Sequence, residues 1–275
     1  MINIDKKLKT RFEGVDMTSD WEWDWDSITH VTKVDPEKSL PADLSVLEGT
    51  DLVMIGGSDG VTAQNTLEAI EAIQDSALDI PVWQEPYRSD HVSTDTMEAV
   101  DGLSVPAVYN GDWDHFVGKH IDLFTTVGRK PAETLASSVP LVGGLVESKG
   151  IEKVAELTDS LFGEGYVVQH LESAAADRAG VETTYTPEEV AGAALATESF
   201  YGFPVFYIEY SGTYGGPEDV EAAADYLEET TLFYGGGIDS AAKAEAILEA
   251  GADAIVVGDC FHDDPEQFRE TIPDR

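Results

Sequence analysis

The chain has 275 residues, of which 42% are hydrophobic, so it is long enough to bury the core of one large domain or of two ordinary ones. Its 16 Lys and Arg stand against 54 Asp and Glu, which gives a formal net charge of −38. This balance argues against nucleic acid and anionic membrane surfaces as partners, because Lys and Arg are what binds phosphate groups.

Eight short apolar runs alternate with helix-like segments along the chain. The predicted strands cover residues 28–34, 51–57, 81–86, 103–109, 165–171, 204–210, 231–236 and 254–259. The clearest helices between them cover residues 63–77, 186–201, 216–229 and 240–251. The alternation predicts parallel strands joined by crossover helices, and eight such strands predict an α/β protein with a (β/α)₈ barrel.

No linker divides the chain, so residues 1–275 are expected to form a single barrel domain. The region 88–160 is the least regular, and an insertion or a missing helix there would modify the barrel. Residues 139–150 read either as a ninth strand or as an apolar stretch beside the barrel. A doubly wound open sheet is the alternative architecture.

Glycines follow the last two predicted strands, at Gly235 to Gly237 and at Gly258. Phosphate sites in (β/α)₈ barrels commonly lie after strands seven and eight, against a helix N-terminus. Glycine lets the backbone approach an anion closely. The pair of turns therefore predicts a phosphate site, with Asp239 or Ser240 as the N-cap of the following helix. Tight turns without a ligand are the structural alternative.

Polar side chains at three other strand ends predict further chemistry. Lys33 ends the first strand in a protein poor in cations, so we expect it to meet an anion. Asp35 and Ser58 follow neighbouring strands and offer hard oxygen ligands for Mg²⁺. Glu209 lies in an aromatic strand with Tyr207, and a buried glutamate could bind or deprotonate a hydroxyl. A surface lysine, a turn at Asp35 and a salt bridge at Glu209 are the alternatives.

Other conspicuous residues are interpreted as structural. The alternating Trp and acidic residues at 21–26 are expected to cover the bottom of the barrel. No Ser-His-Asp set, Walker loop or GxGxxG motif is present. The histidines lack metal-ligand spacing and are expected to be incidental; they are His30, His91, His115, His120, His170 and His262.

Five motifs together resemble the geranylgeranylglyceryl phosphate synthase family, which includes bacterial heptaprenylglyceryl phosphate synthases. They run in the expected order from about residue 28 to 260, whereas residues 110–165 carry no securely matched motif. The matching stretches are HVTKVDPEK, IGGSDGVTAQN, YIEYSGTYG, TLFYGGGI and ADAIVVGD.

The resemblance implies Mg²⁺-dependent transfer of a long prenyl group from a prenyl diphosphate to the 3-hydroxyl of sn-glycerol-1-phosphate. It implies that Lys33 contacts glycerol phosphate, that Asp35 and Ser58 hold Mg²⁺, and that Glu209 and Lys33 are catalytic. Further residues would surround glycerol phosphate: Tyr207, Ile208, Glu209, Tyr210, Ser211, Gly212, Gly237, Gly258 and Asp259. The family often has Asn at the last position, so Gly258 is the firmer assignment there.

The alternatives are another phosphate-binding barrel enzyme, of the sugar-phosphate isomerase or the indole- or thiamine-phosphate synthase type, and a non-catalytic metabolite-binding barrel. The first would not need Lys33, Asp35 and Ser58 as a Mg²⁺ site. Intact Asp35 and Glu209 argue against the second. The sequence leaves open the prenyl length, the position of the prenyl groove and the oligomeric state, a homodimer included.

The extreme acidity predicts the cytosolic protein of a halophile, in which molar salt shortens the Debye length to about 3 Å and screens self-repulsion. Cys260 is the only cysteine, which fits a reducing compartment. No apolar run approaches the roughly 20 residues of a membrane-spanning helix, and residues 1–16 do not resemble a signal peptide. A cytoplasmic location is expected, and an archaeal source would favour the geranylgeranyl donor over the heptaprenyl one.

Overall fold

Eight parallel strands form a closed barrel in the computed structural model, which describes residues 24–125 and 158–273. Each strand pairs with the next, and β1 also pairs with β8, where His30 lies opposite Ile255. This closure confirms the predicted (β/α)₈ barrel and excludes the open sheet. The strands are β1 His30–Val34, β2 Leu52–Ile55, β3 Val82–Gln84, β4 Gly102–Val108, β5 Leu161–Val168, β6 Val205–Glu209, β7 Thr231–Gly235 and β8 Ala254–Val257.

The four predicted helices are confirmed, and four shorter numbered helices join them in the described ranges. The α-helices are α1 Ala63–Gln74, α2 Thr94–Ala99, α3 Ala174–Ala179, α4 Pro187–Ala196, α5 Pro217–Ala224, α6 Ala241–Glu249, α7 Asp259–Asp263 and α8 Pro265–Arg269. The unpredicted helices have five or six residues each, too few turns for an apolar periodicity to show.

Two of the connections, as far as the structure describes them, depart from a regular barrel. Between β1 and β2 the chain makes only a 3₁₀ turn, Leu44–Leu47, instead of an α-helix. After β4 a π-helical turn, Asp114–Gly118, continues as helix to residue 125. The apolar segment 139–150, a candidate ninth strand, lies outside the described residues.

Local sequence signals explain where the longer helices begin. The Thr62 hydroxyl accepts a hydrogen bond from the Asn65 backbone N–H, and Asn65 Oδ1 accepts one from the Thr62 backbone N–H, which forms a capping box at α1. Thr186 and Glu189 form the same box at α4, with Pro187 in its first turn. Each box therefore satisfies two backbone donors at the start of its helix.

Apolar side chains of the described residues pack in two large clusters and a smaller third one. One cluster fills the barrel interior and includes Met54, Trp83 and Phe233, whereas a second lies between the strands and the helices. Trp25 closes the bottom of the barrel, because its ring lies 5.4 Å from that of Trp83 and 5.9 Å from that of Phe162. The role expected for the tryptophan-rich segment is thus confirmed at Trp25. None of the helices in the described ranges has the length and apolar character of a membrane span.

Salt should decide whether this fold is stable. Even if every Lys and Arg paired with one acid, 38 of the 54 carboxylates would lack a basic partner, since the chain has only 16. We expect the thermal midpoint, followed by circular dichroism, to rise strongly between 0.1 M and molar KCl, because screening weakens the repulsion among these carboxylates. Equal midpoints at the two concentrations would contradict a salt-adapted protein.

Candidate active site

A cavity of about 480 Å³ opens at the carboxyl ends of the strands, where the loops into the following helices meet. Active sites of (β/α)₈ barrels lie at this end. Ten of the twelve residues predicted from the sequence line it: Lys33, Asp35, Ser58, Tyr207, Glu209, Ser211, Gly212, Gly237, Gly258 and Asp259.

The side chains of Ile208 and Tyr210 do not reach the cavity. Successive residues of a strand point to opposite faces, so Tyr207 and Glu209 face the interior while Ile208 packs against the helices. The Tyr210 hydroxyl donates to Asp219 Oδ2 at 2.6 Å, on the helical side of the barrel. The expectation of substrate contacts from these two side chains is therefore corrected.

Lys33 meets an anion, as the sequence predicts, but in the protein alone that anion is a glutamate. The Lys33 Nζ lies 2.5 Å from Oε2 of Glu85, which follows β3 and is buried. Sequence reasoning missed Glu85, although its position near the end of the predicted strand 81–86 was the available signal. The pair brings the Lys33 ammonium into the cavity, and the Glu85 carboxylate balances its charge.

The loop after β1 presents Asp35 to the cavity. Its Oδ1 accepts a hydrogen bond from the Glu37 backbone at 3.0 Å. Its own backbone N–H donates to Nε2 of His262 at 3.0 Å, and Nδ1 of His262 bonds to the Ser39 carbonyl at 3.1 Å. These partners assign the proton to Nδ1, and burial lowers the pKa of His262, which favours this neutral form. His262 thus holds the loop that carries Asp35, so the expectation that it is incidental is corrected.

Asp35 and Ser58 form a donor set that fits Mg²⁺. A Cβ placed on Gly57 would lie 2.6 Å from Asp35 Oδ1, so the glycine leaves free space beside the carboxylate. In the described parts of the chain, no group of three or more His, Cys, Asp or Glu forms a metal centre. Mg²⁺ is commonly held by one or two carboxylates and completes its shell with water and phosphate, which matches so sparse a set.

Glu209 is buried at the end of β6 and hydrogen-bonded through both oxygens. The Tyr166 hydroxyl donates to Oε2 at 3.0 Å, and the Ser211 backbone N–H donates to Oε1. Burial raises the pKa of Glu209, while the Lys33 charge opposes this rise. The environment produces a fixed carboxylate with more than ordinary affinity for a proton, which suits a general base.

The glycines after β7 and β8 differ in what their backbone requires. Gly237 has a φ of 55°, and an added Cβ would lie 2.4 Å from the backbone nitrogen of Tyr214. Gly258 has a φ of −117°, and its added Cβ would approach only atoms of Lys33, of which the Lys33 Cβ is nearest at 3.3 Å. Packing against the loop after β6 therefore requires Gly237 whether or not an anion binds, whereas Gly258 has no such structural requirement.

The acidic residues around these turns are paired. Ser240 is the N-cap residue of α6, but its side chain makes no capping hydrogen bond, and Asp239 instead binds Lys243 at 2.8 Å. The N-cap predicted at one of these two positions is thus confirmed at Ser240, without a side-chain hydrogen bond. Asp259 Oδ1 lies 2.8 Å from Lys38 Nζ, which offsets the acid beside the proposed phosphate position.

The comparisons with known proteins agree with this geometry. The PcrB family matches residues 21–274. Geranylgeranylglyceryl phosphate synthase of Methanocella arvoryzae is 36% identical over 90% of this chain and 97% of its own length, and heptaprenylglyceryl phosphate synthase of Lysinibacillus sphaericus is 29% identical over 88% and 94%.

A solved structure shares the fold. It is (S)-3-O-geranylgeranylglyceryl phosphate synthase from Thermoplasma acidophilum in complex with the substrate sn-glycerol-1-phosphate, with a TM-score of 0.66 and 21% identity over 89% of this chain and 91% of that one. The family match covers nearly the whole chain, and the barrel carries its motifs around one cavity. The chain therefore belongs to the PcrB family.

Proposed function

We propose that the protein transfers a geranylgeranyl group from geranylgeranyl diphosphate to the 3-hydroxyl of sn-glycerol-1-phosphate, which forms the first ether bond of archaeal membrane lipids. The observation that carries the proposal is one cavity that combines glycine turns after β7 and β8, the oxygen donors Asp35 and Ser58, and the buried carboxylate of Glu209. The names of the relatives support the same activity. We place the reaction in the cytoplasm.

Glycerol phosphate would bind with its phosphate against the turns at Gly237 and Gly258. Backbone N–H groups at helix starts favour anions there. Lys33 lies between this end and Glu85, so its ammonium can contact the phosphate or the glycerol while keeping its carboxylate partner. The glycerol hydroxyl would then lie at Glu209, between the two ends of the cavity.

The reaction breaks the bond between C1 of the prenyl group and the diphosphate oxygen, and forms the bond from C1 to the glycerol O3. The proton of the 3-hydroxyl goes to Glu209, and the electron pair of the broken bond leaves with the diphosphate. Asp35 and Ser58 would hold Mg²⁺, which neutralises charge on the leaving diphosphate. Holding the hydroxyl in line with C1 removes the entropy cost of bringing the two reactants together in the reactive geometry.

An incubation with sn-glycerol-1-phosphate and labelled prenyl diphosphates of several lengths, with and without Mg²⁺, tests the proposal. We expect a Mg²⁺-dependent product with the geranylgeranyl donor. A preference for the heptaprenyl donor would reassign the chain length. No product with any prenyl diphosphate would favour another phosphate-binding barrel enzyme.

The two glycines allow a test of the phosphate position. Gly258→Ala is expected to weaken glycerol-1-phosphate binding about 10- to 150-fold for each lost hydrogen bond to the phosphate, with little change in thermal midpoint. Gly237→Ala should also destabilise the fold, because a left-handed residue with a side chain costs about 1–2 kcal/mol and its Cβ would meet Tyr214. Calorimetric titration and thermal unfolding of both variants measure these effects.

Pyrophosphate provides the control for the glycine variants, since its binding should change little in Gly258→Ala. If Gly258→Ala lost pyrophosphate and kept glycerol-1-phosphate, the two substrates would have been placed in each other's positions.

A further inference from the structure

Among the residues that the structure describes, four cations line the cavity of this acidic chain: Lys33, Lys38, Lys119 and Arg178. Three of them have a carboxylate partner, since Lys33 binds Glu85, Lys38 binds Asp259 and Arg178 binds Asp59. Lys119 differs, because its Nζ is buried and has no hydrogen-bond partner among the residues that the structure describes. Sequence reasoning missed this residue, which follows β4 in a region without a matched motif.

Three carboxylates act electrostatically on Lys119, those of Glu85, Glu164 and Asp112, but none of them is hydrogen-bonded to its Nζ. Glu85 uses Oε2 to bind Lys33, and its buried Oε1 has no partner in the described residues. Glu164 accepts a hydrogen bond from the Ser104 hydroxyl at 2.7 Å. Burial, reinforced by the negative charge of Glu85, raises the pKa of Glu164, which favours its neutral form. The third acid near Lys119, Asp112, is engaged with His115 at 2.8 Å.

A buried ammonium without a bonded partner lowers the stability of the free protein. Burial accordingly lowers the pKa of Lys119 to about 8. Proteins retain such a group where a ligand supplies the missing opposite charge, because local costs of this kind concentrate at functional sites. The position of Lys119 in the cavity lining therefore indicates an anionic ligand.

Barrel topology indicates which anion this is. The glycine turns lie after β7 and β8, whereas Lys119 follows β4, which is on the opposite side of an eight-stranded barrel from β8. One phosphate is already assigned to the glycine turns. The second anion of the proposed reaction is the diphosphate, whose higher charge needs more than one cationic partner.

We propose that Lys119 binds the diphosphate of the prenyl donor, and the pyrophosphate that the reaction releases. This assignment rests on the proposed function. It adds a lysine to the donor site, opposite the end of the cavity that takes glycerol phosphate.

Calorimetric titration of Lys119→Met with magnesium pyrophosphate, and separately with sn-glycerol-1-phosphate, tests the assignment. Met keeps the length of the side chain and removes its charge. We expect pyrophosphate to bind about 10- to 100-fold more weakly, with glycerol-1-phosphate affinity unchanged. The thermal midpoint of the free protein should stay the same or rise, because an uncompensated buried charge has been removed. Arg269→Met is the matched control for losing one positive charge, since Arg269 lies in α8 and does not line the cavity.

Two results would overturn the assignment. A lower thermal midpoint with unchanged pyrophosphate binding would show that Lys119 is a structural partner of Glu85 and Glu164. Weaker glycerol-1-phosphate binding with unchanged pyrophosphate binding would show that it serves the other substrate. Lys119→Gln offers a second neutral variant with the same expected loss, should the Met variant fail to fold.

The outcome that would reject the proposed function differs from the outcomes that would reject the Lys119 assignment. Pyrophosphate binding is measured without turnover, so wild-type protein that binds pyrophosphate through Lys119 but transfers no prenyl group would reject the reaction and keep the anion site. An active wild type whose pyrophosphate affinity does not depend on Lys119 would keep the reaction and reject this residue.

Discussion

Replacing Asp35 by Asn is expected to lower the rate of prenyl transfer by about 10²- to 10⁴-fold while leaving the fold intact. A metal ion at a developing phosphate charge contributes several kcal/mol to the transition state, and about 1.4 kcal/mol corresponds to a tenfold change in rate. Asn keeps the Oδ1 that accepts the hydrogen bond from the Glu37 backbone, so the loop after β1 should retain its conformation. Steady-state rates over a Mg²⁺ titration, together with a thermal unfolding curve, measure both effects.

Asp59→Asn is the matched control, because Asp59 also lines the cavity but pairs with Arg178 at a half-exposed position. We expect its effect on the rate to be less than about tenfold, since exposed ion pairs contribute little. Near-normal turnover of Asp35→Asn at saturating prenyl diphosphate and low Mg²⁺ would remove Asp35 from the metal site.

Replacing Glu209 by Gln should cost about 10²- to 10⁴-fold in rate, the usual contribution of a positioned general base. The catalytic form of Glu209 is the carboxylate, so activity should fall as the pH is lowered through its pKa. Burial raises this pKa, which places the acid limb of kcat/KM above the ordinary range of a glutamate. The pH dependence of the wild-type rate gives the position of this limb.

Tyr166→Phe tests the same assignment through the partner of Glu209. The Tyr166 hydroxyl donates to the carboxylate and therefore favours its charged form. Removing the hydroxyl should raise the pKa of Glu209 further and move the acid limb to higher pH, without abolishing activity. If Glu209→Gln raised only the KM for glycerol-1-phosphate and left kcat unchanged, Glu209 would bind the hydroxyl without accepting its proton.

The strands can be predicted from the sequence because fully buried parallel strands are continuous apolar runs. In β2 and β8, for example, every residue is buried. The prediction was poorest at β5, which begins at Leu161 instead of residue 165. Its first five residues include Gly163, Glu164 and Gly165, residue types that are depleted in strands. Tertiary packing explains the glycines, because an added Cβ at Gly163 would strike the Phe203 ring and one at Gly165 would strike Thr197.

Because the predicted strand began only at residue 165, the sequence did not indicate that Glu164 is buried inside the barrel. It therefore did not indicate the charges around Lys119 either. The residues that were predicted share a simple signal, a polar or glycine residue directly after an apolar run. Asp35, Ser58, Glu209 and Gly258 all carry that signal. Such residues converge in any barrel because every parallel strand ends at the same rim.

Chain order and strand-end chemistry were enough to predict the barrel and the composition of its rim, because both follow from local patterns of apolar and polar residues. Which side chains pair with each other could not be predicted, because the partners are far apart in the sequence. His262 reaches the Asp35 backbone across 227 positions, and Lys33 finds Glu85 only because β1, β2 and β3 lie side by side. The same holds for Lys119: among the described residues its buried Nζ has no hydrogen-bond partner, and the two buried glutamates that act on its charge come from elsewhere in the chain, since Glu85 follows β3 and Glu164 lies in β5.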